Sequence, residues 1–251
     1  MRNIGDLTGK RILVTGASSG IGRATAILIS ELGGKVIAVG RNVSSLEKTI
    51  ESLTGEGHQY QVFDLADADL IPDWMRQIAG DGRLDGLVHM AGMHGARPLR
   101  VSDVDFVNEI LALNIGAAMQ LARGFRHKKV RAETSSIVFA SSVAGMIGEA
   151  GISAYSATKG AIISMSRSLA RELCGEGIRV NSISPSFVKT EFTKEFFGTL
   201  TDDQLSELEK QHPLGFGEPE DIASLIAFLI SDSSRWMTGS NIVIDGGYST
   251  K

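Results

Sequence analysis

Short apolar runs alternate with helix-periodic segments along this chain. Seven runs predict strands, at 11–15, 35–39, 59–63, 84–90, 136–140, 178–183 and 242–244. Between them, apolar residues three and four positions apart predict helices, at 23–32, 44–53, 69–79, 102–125 and 153–174. Strands that are apolar on both faces and alternate with helices are typical of parallel sheets. The pattern therefore predicts an α/β fold whose parallel sheet is covered on both faces.

The alternation continues without a linker, a repeat or a low-complexity tract. We therefore predict a single domain over residues 1–251. One segment, from about 190 to 213, departs from the alternation and carries both phenylalanines and charged residues. We interpret it as a helical insertion that covers a substrate site.

Composition argues against several classes of function. A net charge of −4 in 251 residues gives no electrostatic reason to expect nucleic acid or an anionic membrane as a partner. No apolar run reaches the length of a membrane span and the first residues lack an apolar leader, so a cytoplasmic location is expected. The single Cys174 excludes an internal disulfide, gives no metal cluster and is expected to pack within a helix.

Basic residues are concentrated in one short stretch of the chain. The cluster consists of Arg126, His127, Lys128, Lys129 and Arg131. We interpret it as a solvated helix end, since cations are favoured at helix C-termini. A docking site for an acidic carrier protein is the alternative.

Tyr155 and Lys159 lie four positions apart on a predicted helix and therefore share one face. Ser142 precedes Tyr155 by thirteen residues and belongs to a separate segment. A fixed cation beside a phenol favours the phenolate and lowers its pKa, which is the tuning that general acid–base catalysis needs. These side chains predict a proton-transfer site, although such a helical pair also occurs by chance on exposed faces.

A glycine-rich turn joins the first predicted strand to the first predicted helix. It reads Gly16-Ala17-Ser18-Ser19-Gly20-Ile21-Gly22. Glycines at such a turn let backbone amides approach a pyrophosphate, whose charge the helix N-terminus stabilises. The spacing G-x-x-x-G-x-G differs from the usual G-x-G-x-x-G fingerprint. An ordinary tight turn is therefore the alternative.

These features, together with Asp245-Gly246-Gly247, occur in the order and spacing of a known family. From about Leu7 to Tyr248 the chain resembles the short-chain dehydrogenase/reductase family and is similar to its 3-oxoacyl-carrier-protein reductases. The resemblance implies a Rossmann-type doubly wound parallel seven-stranded sheet with strand order 3-2-1-4-5-6-7. It also implies a nicotinamide cofactor, and a homotetramer built through paired long helices, or a homodimer.

The resemblance further implies a role for each catalytic residue. Tyr155 is similar to the proton donor to a substrate carbonyl, and Ser142 to the hydroxyl that orients and polarises that carbonyl. Lys159 is similar to the lysine that binds the nicotinamide ribose and lowers the tyrosine pKa. Asn114 matches the helix asparagine that holds a water in the proton relay.

The choice of cofactor depends on the end of the second strand. There, an acidic residue accepts the ribose 2′-hydroxyl of NAD, whereas an arginine accommodates the 2′-phosphate of NADP. Gly40 stands at the acidic position and Arg41 follows it, which predicts NADP(H) in preference to NAD(H), with NAD(H) possible. The cofactor contacts that the resemblance implies are Gly16, Ser18, Ser19, Gly20, Ile21, Gly22, Arg41, Asp64, Leu65, Ala91, Gly92, Tyr155, Lys159, Pro185, Val188 and Thr190.

Three places depart from the family pattern. His89-Met90 replaces a frequent Asn-Asn, Ser186 a frequent Gly, and Phe216 a frequent Arg. We expect a structural role for His89. If the backbone at Ser186 needs a positive φ, we expect its loop to be strained or to sit differently.

The candidate pocket residues are mostly apolar. They are His94, Met146, Ile147, Ile152, Phe187, Phe192, Phe196 and Phe197. An apolar pocket with a few polar groups favours a small acyl or alicyclic ketone, such as a 3-oxoacyl group, as substrate. Sugar or nucleotide-sugar ketone reduction and alcohol oxidation stay open. A non-catalytic dinucleotide-binding regulatory subunit is the alternative from another class, and it predicts a damaged catalytic set.

Overall fold

The computed structural model describes residues 5–80 and 82–250. Its strands form a parallel sheet in the order β3-β2-β1-β4-β5-β6-β7, as predicted. They are β1 Arg11–Thr15, β2 Lys35–Gly40, β3 Gln59–Val62, β4 Leu84–His89, β5 Arg131–Ala140, β6 Ile178–Pro185 and β7 Asn241–Ile244. The order reverses direction at β1, which places β1 and β4 at the switch point where α/β sheets bind ligands.

Helices cover both faces of this sheet. They are α1 Gly20–Glu31, α2 Val43–Glu51, α3 Ile71–Ala79, α4 Val104–Leu111, α5 Ala117–Phe125, α6 Ser153–Leu173, α7 Glu191–Phe197, α8 Asp202–Lys210 and α9 Pro219–Ile230. A π-helical segment, Ala112–Gly116, joins α4 to α5. The predicted helix at 102–125 is therefore a helical run that begins at Val104, after the Asp103 cap, and contains one local widening.

The core consists of two apolar layers, one on each face of the sheet. Leu13 of β1 packs with one layer, whereas its neighbours Ile12 and Val14 pack with the other. This alternation follows from the two-residue period of a strand. Because both layers are continuous, the prediction of a sheet covered on both faces is confirmed.

Two local predictions are wrong. β5 begins at Arg131 rather than at 136, because its first residues are polar and gave no apolar run. Cys174 is exposed and starts a short 3₁₀ turn, rather than packing within a helix. Leu173, the last residue of α6, is buried. Cys174 follows it about 100° further around the helix axis and therefore faces solvent.

The segment 190–213 carries two short helices, α7 and α8. Each begins with a capping box, in which Thr190 pairs with Thr193 and Thr201 pairs with Gln204. The sequence alone therefore explains where both helices start. Their role as a cover over a site stays a prediction.

The two arginines of the basic cluster at 126–131 have acidic partners, whereas Lys128 and Lys129 are exposed. Arg126 pairs with Glu172 and Glu176, and Arg131 lies 3.7 Å from Glu176. The bonded Glu176 raises the pKa of Arg126 above its ordinary value. Arg131 is a buried strand residue, so the interpretation as a solvated helix end is wrong for it. The cluster lies at the start of β5, so it is at the N-terminal ends of the parallel strands, opposite the carboxyl ends.

Among the described residues, no helix combines the length and apolarity that crossing a membrane requires.

Candidate active site

The carboxyl ends of the strands bring the predicted catalytic residues together. Ser142 follows β5 directly, and Tyr155 and Lys159 lie in the first two turns of α6. The Lys159 ammonium lies 5.5 Å from the centroid of the Tyr155 ring. The Ser142 hydroxyl lies near enough to the Tyr155 phenol to lower its pKa, and it donates to the Pro185 carbonyl at 3.4 Å. Side chains from separate segments therefore meet at one point.

Backbone carbonyls and hydroxyls hold Lys159 in place. Its Nζ donates to the Ala140 carbonyl at 2.9 Å, and its own carbonyl accepts from the Ser141 hydroxyl at 2.7 Å. Only 8% of the residue is exposed. The ammonium is thus fixed by the end of β5 rather than free to move in solvent.

The pKa values of this group differ from the expectation. Burial raises the pKa of Tyr155 to about 12, and the Ser142 hydrogen bond only partly opposes this. Burial also lowers the pKa of Lys159 to about 8. The prediction that the tyrosine pKa is lowered is therefore wrong, because desolvation of the phenolate outweighs the effect of Ser142. At neutral pH the phenol keeps its proton and Lys159 keeps its charge.

Asn114 lies in the π-helical segment and is buried. Its Oδ1 accepts from the Met93 amide at 2.7 Å, and its Nδ2 donates to the Met93 carbonyl and to the Thr158 hydroxyl. Thr158 in turn donates to the Tyr155 carbonyl at 2.7 Å. Asn114 therefore ties the segment after β4 to the first turn of α6.

The glycine turn has the shape of a cradle that larger residues would fill. A Cβ on Gly22 would lie 2.1 Å from the Gly16 carbonyl oxygen, and Gly16 itself has φ of 68° and packs on the Ala91 amide. Ser19 caps α1 in an extended conformation. Amides at the start of α1 are thus accessible to an anion, as dinucleotide phosphates require. The turn fits the predicted cofactor.

Glu191, the first residue of α7, occupies this cradle in the structure. Its carboxylate accepts from the Gly20 amide at 3.1 Å and lies 3.4 Å from the Arg23 guanidinium. Thr190, which precedes it, packs against Gly20. A carboxylate therefore lies where the sequence predicts that a pyrophosphate binds.

Replacing Glu191 with Ala is expected to tighten NADPH binding by about two- to five-fold. The phosphates then no longer compete with, or repel, a carboxylate, and exposed charge interactions of this kind are about 0.2–1 kcal/mol. The dissociation constant is measured by titration of NADPH fluorescence at low salt, with Glu195→Ala as the control on the same helix. Equal or weaker binding by the Glu191 variant would contradict this interpretation.

Arg41 and Ser18 border the space after β2. Arg41 is exposed and its guanidinium lies 3.8 Å from Asp64, which is itself fixed by a bond from the Ala66 amide. A Cβ on Gly40 would lie 3.3 Å from the Ser18 hydroxyl. Gly40, which stands where NAD-binding folds carry an acidic residue, thus has the Ser18 hydroxyl and the Arg41 guanidinium as neighbours.

The remaining predicted cofactor contacts border the same edge. Gly92 lies beside Asn114 and Lys159, because a Cβ there would meet them at 3.1 and 3.7 Å. Val188 and Leu65 are buried, and Thr190 caps α7. Each lies just after the end of β3, β4 or β6.

The three departures from the family pattern each have a structural partner. His89 is buried, and its Nδ1 lies 2.8 Å from the Thr15 hydroxyl, which also accepts from the Ala91 amide. No residue other than glycine has a positive φ in the described chain, so Ser186 is not strained. Its hydroxyl bonds the buried His212 at 2.8 Å. Phe216 stacks on Phe197 at 4.8 Å.

The candidate pocket residues divide into two groups. His94 lies against the Tyr155 ring, with centroids 4.5 Å apart, and Phe192 lies 5.2 Å from His94. Phe187, by contrast, packs with Phe196 and Phe197 in an aromatic group below α7. Among the ring contacts of residues 5–80 and 82–250, that of His94 is the one that reaches Tyr155. Met146, Ile147 and Ile152 lie on the segment between Ser142 and Tyr155.

Sequence reasoning missed several residues that hold the site. Thr15, Ser141 and Thr158 hold it through hydrogen bonds of their hydroxyls. A hydroxyl residue next to a recognised motif carries no pattern of its own, so no signal identified them. Glu191 was detectable only as an acid in the first turn of a predicted helix, which is common. In the described residues, no group of side chains has the composition of a metal site.

Comparisons with known proteins agree with this geometry. A family model described as enoyl-(acyl carrier protein) reductase matches residues 16–249. The 3-oxoacyl-(acyl-carrier-protein) reductase FabG of Thermotoga maritima is 36% identical over 247 residues, which cover 96% of this chain and 98% of that protein.

Solved structures show the same likeness. A protein assigned as a short-chain alcohol dehydrogenase from Sinorhizobium meliloti superposes with a TM-score of 0.93 at 32% identity, over 99% of this chain and 100% of that one. One assigned as an NAD(P)-dependent gluconate 5-dehydrogenase from Beutenbergia cavernae, with bound NADP, has a TM-score of 0.91 at 30% identity, over 99% and 100%. The chain therefore belongs to the short-chain dehydrogenase/reductase family of oxidoreductases.

Proposed function

We propose that this chain reduces a ketone to a secondary alcohol with NADPH, or catalyses the reverse reaction, with Tyr155 as the proton donor. The observation that carries the proposal is the meeting of the Tyr155 phenol, the Ser142 hydroxyl and the buried Lys159 beside the glycine turn. This intact set argues against a non-catalytic binding subunit. The cofactor, when bound, supplies the hydride.

The protein's own groups handle the proton and the carbonyl oxygen. The phenol of Tyr155, protonated because burial raises its pKa to about 12, donates to the oxygen that gains charge. Ser142 donates a hydrogen bond to the same oxygen and thereby polarises the carbonyl. Lys159 would hold the nicotinamide ribose of the bound cofactor. Asn114, whose side chain is engaged with Met93 and Thr158, is the residue that we assign to the proton relay.

The preference for NADPH rests on Arg41 and Ser18. Arg41 follows β2, and Ser18, in the glycine turn, lies near Gly40, which leaves no carboxylate to accept a ribose 2′-hydroxyl or to repel a 2′-phosphate. The solved relative with bound NADP supports the same cofactor. Arg41 also pairs with Asp64, so the arginine has a partner even without a 2′-phosphate, and NADH binding stays possible.

The proposed substrate is an apolar, acyl or alicyclic ketone such as a 3-oxoacyl group. The 36% identical reductase supports it, and so do the apolar residues near Tyr155. The basic cluster gives no support for a docked acidic carrier on this chain, because its arginines are paired and it lies at the opposite edge of the sheet. The gluconate dehydrogenase relative favours a sugar as the second candidate.

A homotetramer built through paired long helices stays a prediction. Exposed apolar side chains on the α4–α5 helical run, Val104, Leu111 and Met119, support it.

The proposed function is tested by NADPH oxidation against a matched panel. The panel contains a 3-oxo ester, cyclohexanone, a keto sugar acid and a 2-enoyl ester. We expect turnover with the ester and with cyclohexanone, and the hydroxy ester as the product. Turnover with the enoyl ester alone would replace carbonyl reduction with reduction of a carbon–carbon double bond.

The value of kcat/KM for NADPH is expected to fall about ten-fold per pH unit above pH 8. Lys159 is charged below its pKa of about 8 and neutral above it, whereas an unperturbed lysine would stay charged to about pH 10. The nearby His89 and His94 have lowered pKa values and stay neutral in this range. Measuring kcat/KM for NADPH from pH 6 to 10 at constant ionic strength tests this decrease. Constant kcat/KM up to pH 10 would contradict the assignment to Lys159.

A further inference from the structure

His94 differs from the other histidines of the described chain in its hydrogen bonding. His58 and His212 engage both ring nitrogens, and His89 and His127 engage one. Within residues 5–80 and 82–250, neither nitrogen of His94 has a hydrogen-bond partner, although its ring lies against Tyr155. Both nitrogens are therefore available to a ligand beside the reactive phenol.

His94 lies among mostly apolar neighbours. A hydrogen bond to its ring would therefore distinguish substrates that carry a matching polar group from those that do not. The Phe192 ring lies on it at 5.2 Å and offers no hydrogen bond, and the residues on the 146–152 segment near Tyr155 are mostly apolar. His94 itself stays exposed, so a substrate reaches it without displacing the core. Partial burial of the ring and the charge of Lys159 lower the pKa of His94, so the imidazole is neutral at neutral pH. A neutral imidazole offers one donor and one acceptor.

We propose that His94 determines substrate specificity by hydrogen-bonding a second oxygen of the ketone, on the carbon chain beside the carbonyl that is reduced. The inference rests on the proposed function and narrows its substrate class to ketones with a neighbouring ester, thioester or hydroxyl oxygen. Simple ketones bind the same apolar walls without this contact. His94 is a recognition residue and takes no part in proton transfer, which belongs to Tyr155.

The test compares two substrates of equal size in the full-length enzyme with NADPH. Ethyl 3-oxobutanoate carries a second oxygen-bearing group, and 2-octanone does not. In His94→Phe, which keeps an aromatic ring against Tyr155, kcat/KM for the keto ester is expected to fall about ten-fold, mainly through KM. The value for 2-octanone is expected to change by about two-fold or less. His94→Gln, which restores a donor and an acceptor, is expected to recover part of the loss.

His127→Phe is the matched control, since His127 is exposed and lies at the opposite edge of the sheet. NADPH fluorescence titration confirms that each variant still binds cofactor. Equal changes for both substrates, or no change for either, would overturn the role of His94 while leaving the proposed function intact. If the parent enzyme reduces neither ketone, the proposed function fails and the inference fails with it.

Discussion

Tyr155→Phe is expected to lower kcat for ketone reduction by about 10² to 10⁴, the usual value of a positioned general acid. The phenylalanine keeps the ring beside Lys159 and removes only the hydroxyl that meets Ser142. In this variant, the alkoxide that develops during hydride transfer has no Tyr155 hydroxyl to protonate it. Steady-state kinetics with NADPH and a 3-oxo ester measure the effect.

Tyr60→Phe is the control for this experiment, because Tyr60 is partly exposed on β3 and remote from Ser142. NADPH binding is expected to be similar in both variants and in the parent. A Tyr155 variant that retains a rate within about three-fold of the parent would assign the acid role to another group.

Arg41→Ala is expected to lower kcat/KM for NADPH by about 10- to 100-fold and to change the value for NADH by about two-fold or less. A hydrogen bond to a charged group contributes about 1.5–3 kcal/mol, and only NADPH carries the 2′-phosphate. Both cofactors are compared at a fixed ketone concentration and at low salt, because Arg41 is exposed and its interaction is screened.

Arg41→Lys and Arg76→Ala separate charge from geometry in that experiment. The lysine keeps a point charge but loses the bidentate fork, so an intermediate loss is expected. Arg76 is an exposed arginine on α3, and its replacement is expected to have no effect on either cofactor. Parallel losses with NADPH and NADH in Arg41→Ala would show that Arg41 does not contact a 2′-phosphate.

The parallel sheet was predictable because most of its strands are apolar runs that alternate with helices, whereas its strand order was implied by the resemblance to the short-chain dehydrogenase/reductase family. The start of β5 was not predictable, because residues 133–136 are polar and the pairing of this part of the strand depends on neighbours distant in sequence. The break in the α4–α5 helix was hidden for a similar reason. Its apolar spacing continues through the π-helical segment, within which Asn114 bonds to Met93 and Thr158, residues distant in sequence.

The candidate site was predictable where a residue type and its spacing carry the chemistry. Tyr155, Lys159 and the glycine turn are of that kind. The pKa of Tyr155 was not, because it depends on the balance between burial and charge in three dimensions. The contact between Glu191 and Gly20 joins residues 171 positions apart, and the bond between Ser186 and His212 joins two loops. Neither contact follows from any local pattern.

We propose above that this chain transfers hydride from NADPH to a carbonyl carbon. The most direct measurement incubates the enzyme with NADPH deuterated at the transferring position and ethyl 3-oxobutanoate, and examines the product by mass spectrometry and NMR. We predict one deuterium on the carbinol carbon of the hydroxy ester for each NADPH consumed, and no labelled product with Tyr155→Phe over the same interval. Tight NADPH binding without any labelled alcohol, from this ester or from the other ketones of the panel, would contradict the claim and favour a non-catalytic binding protein.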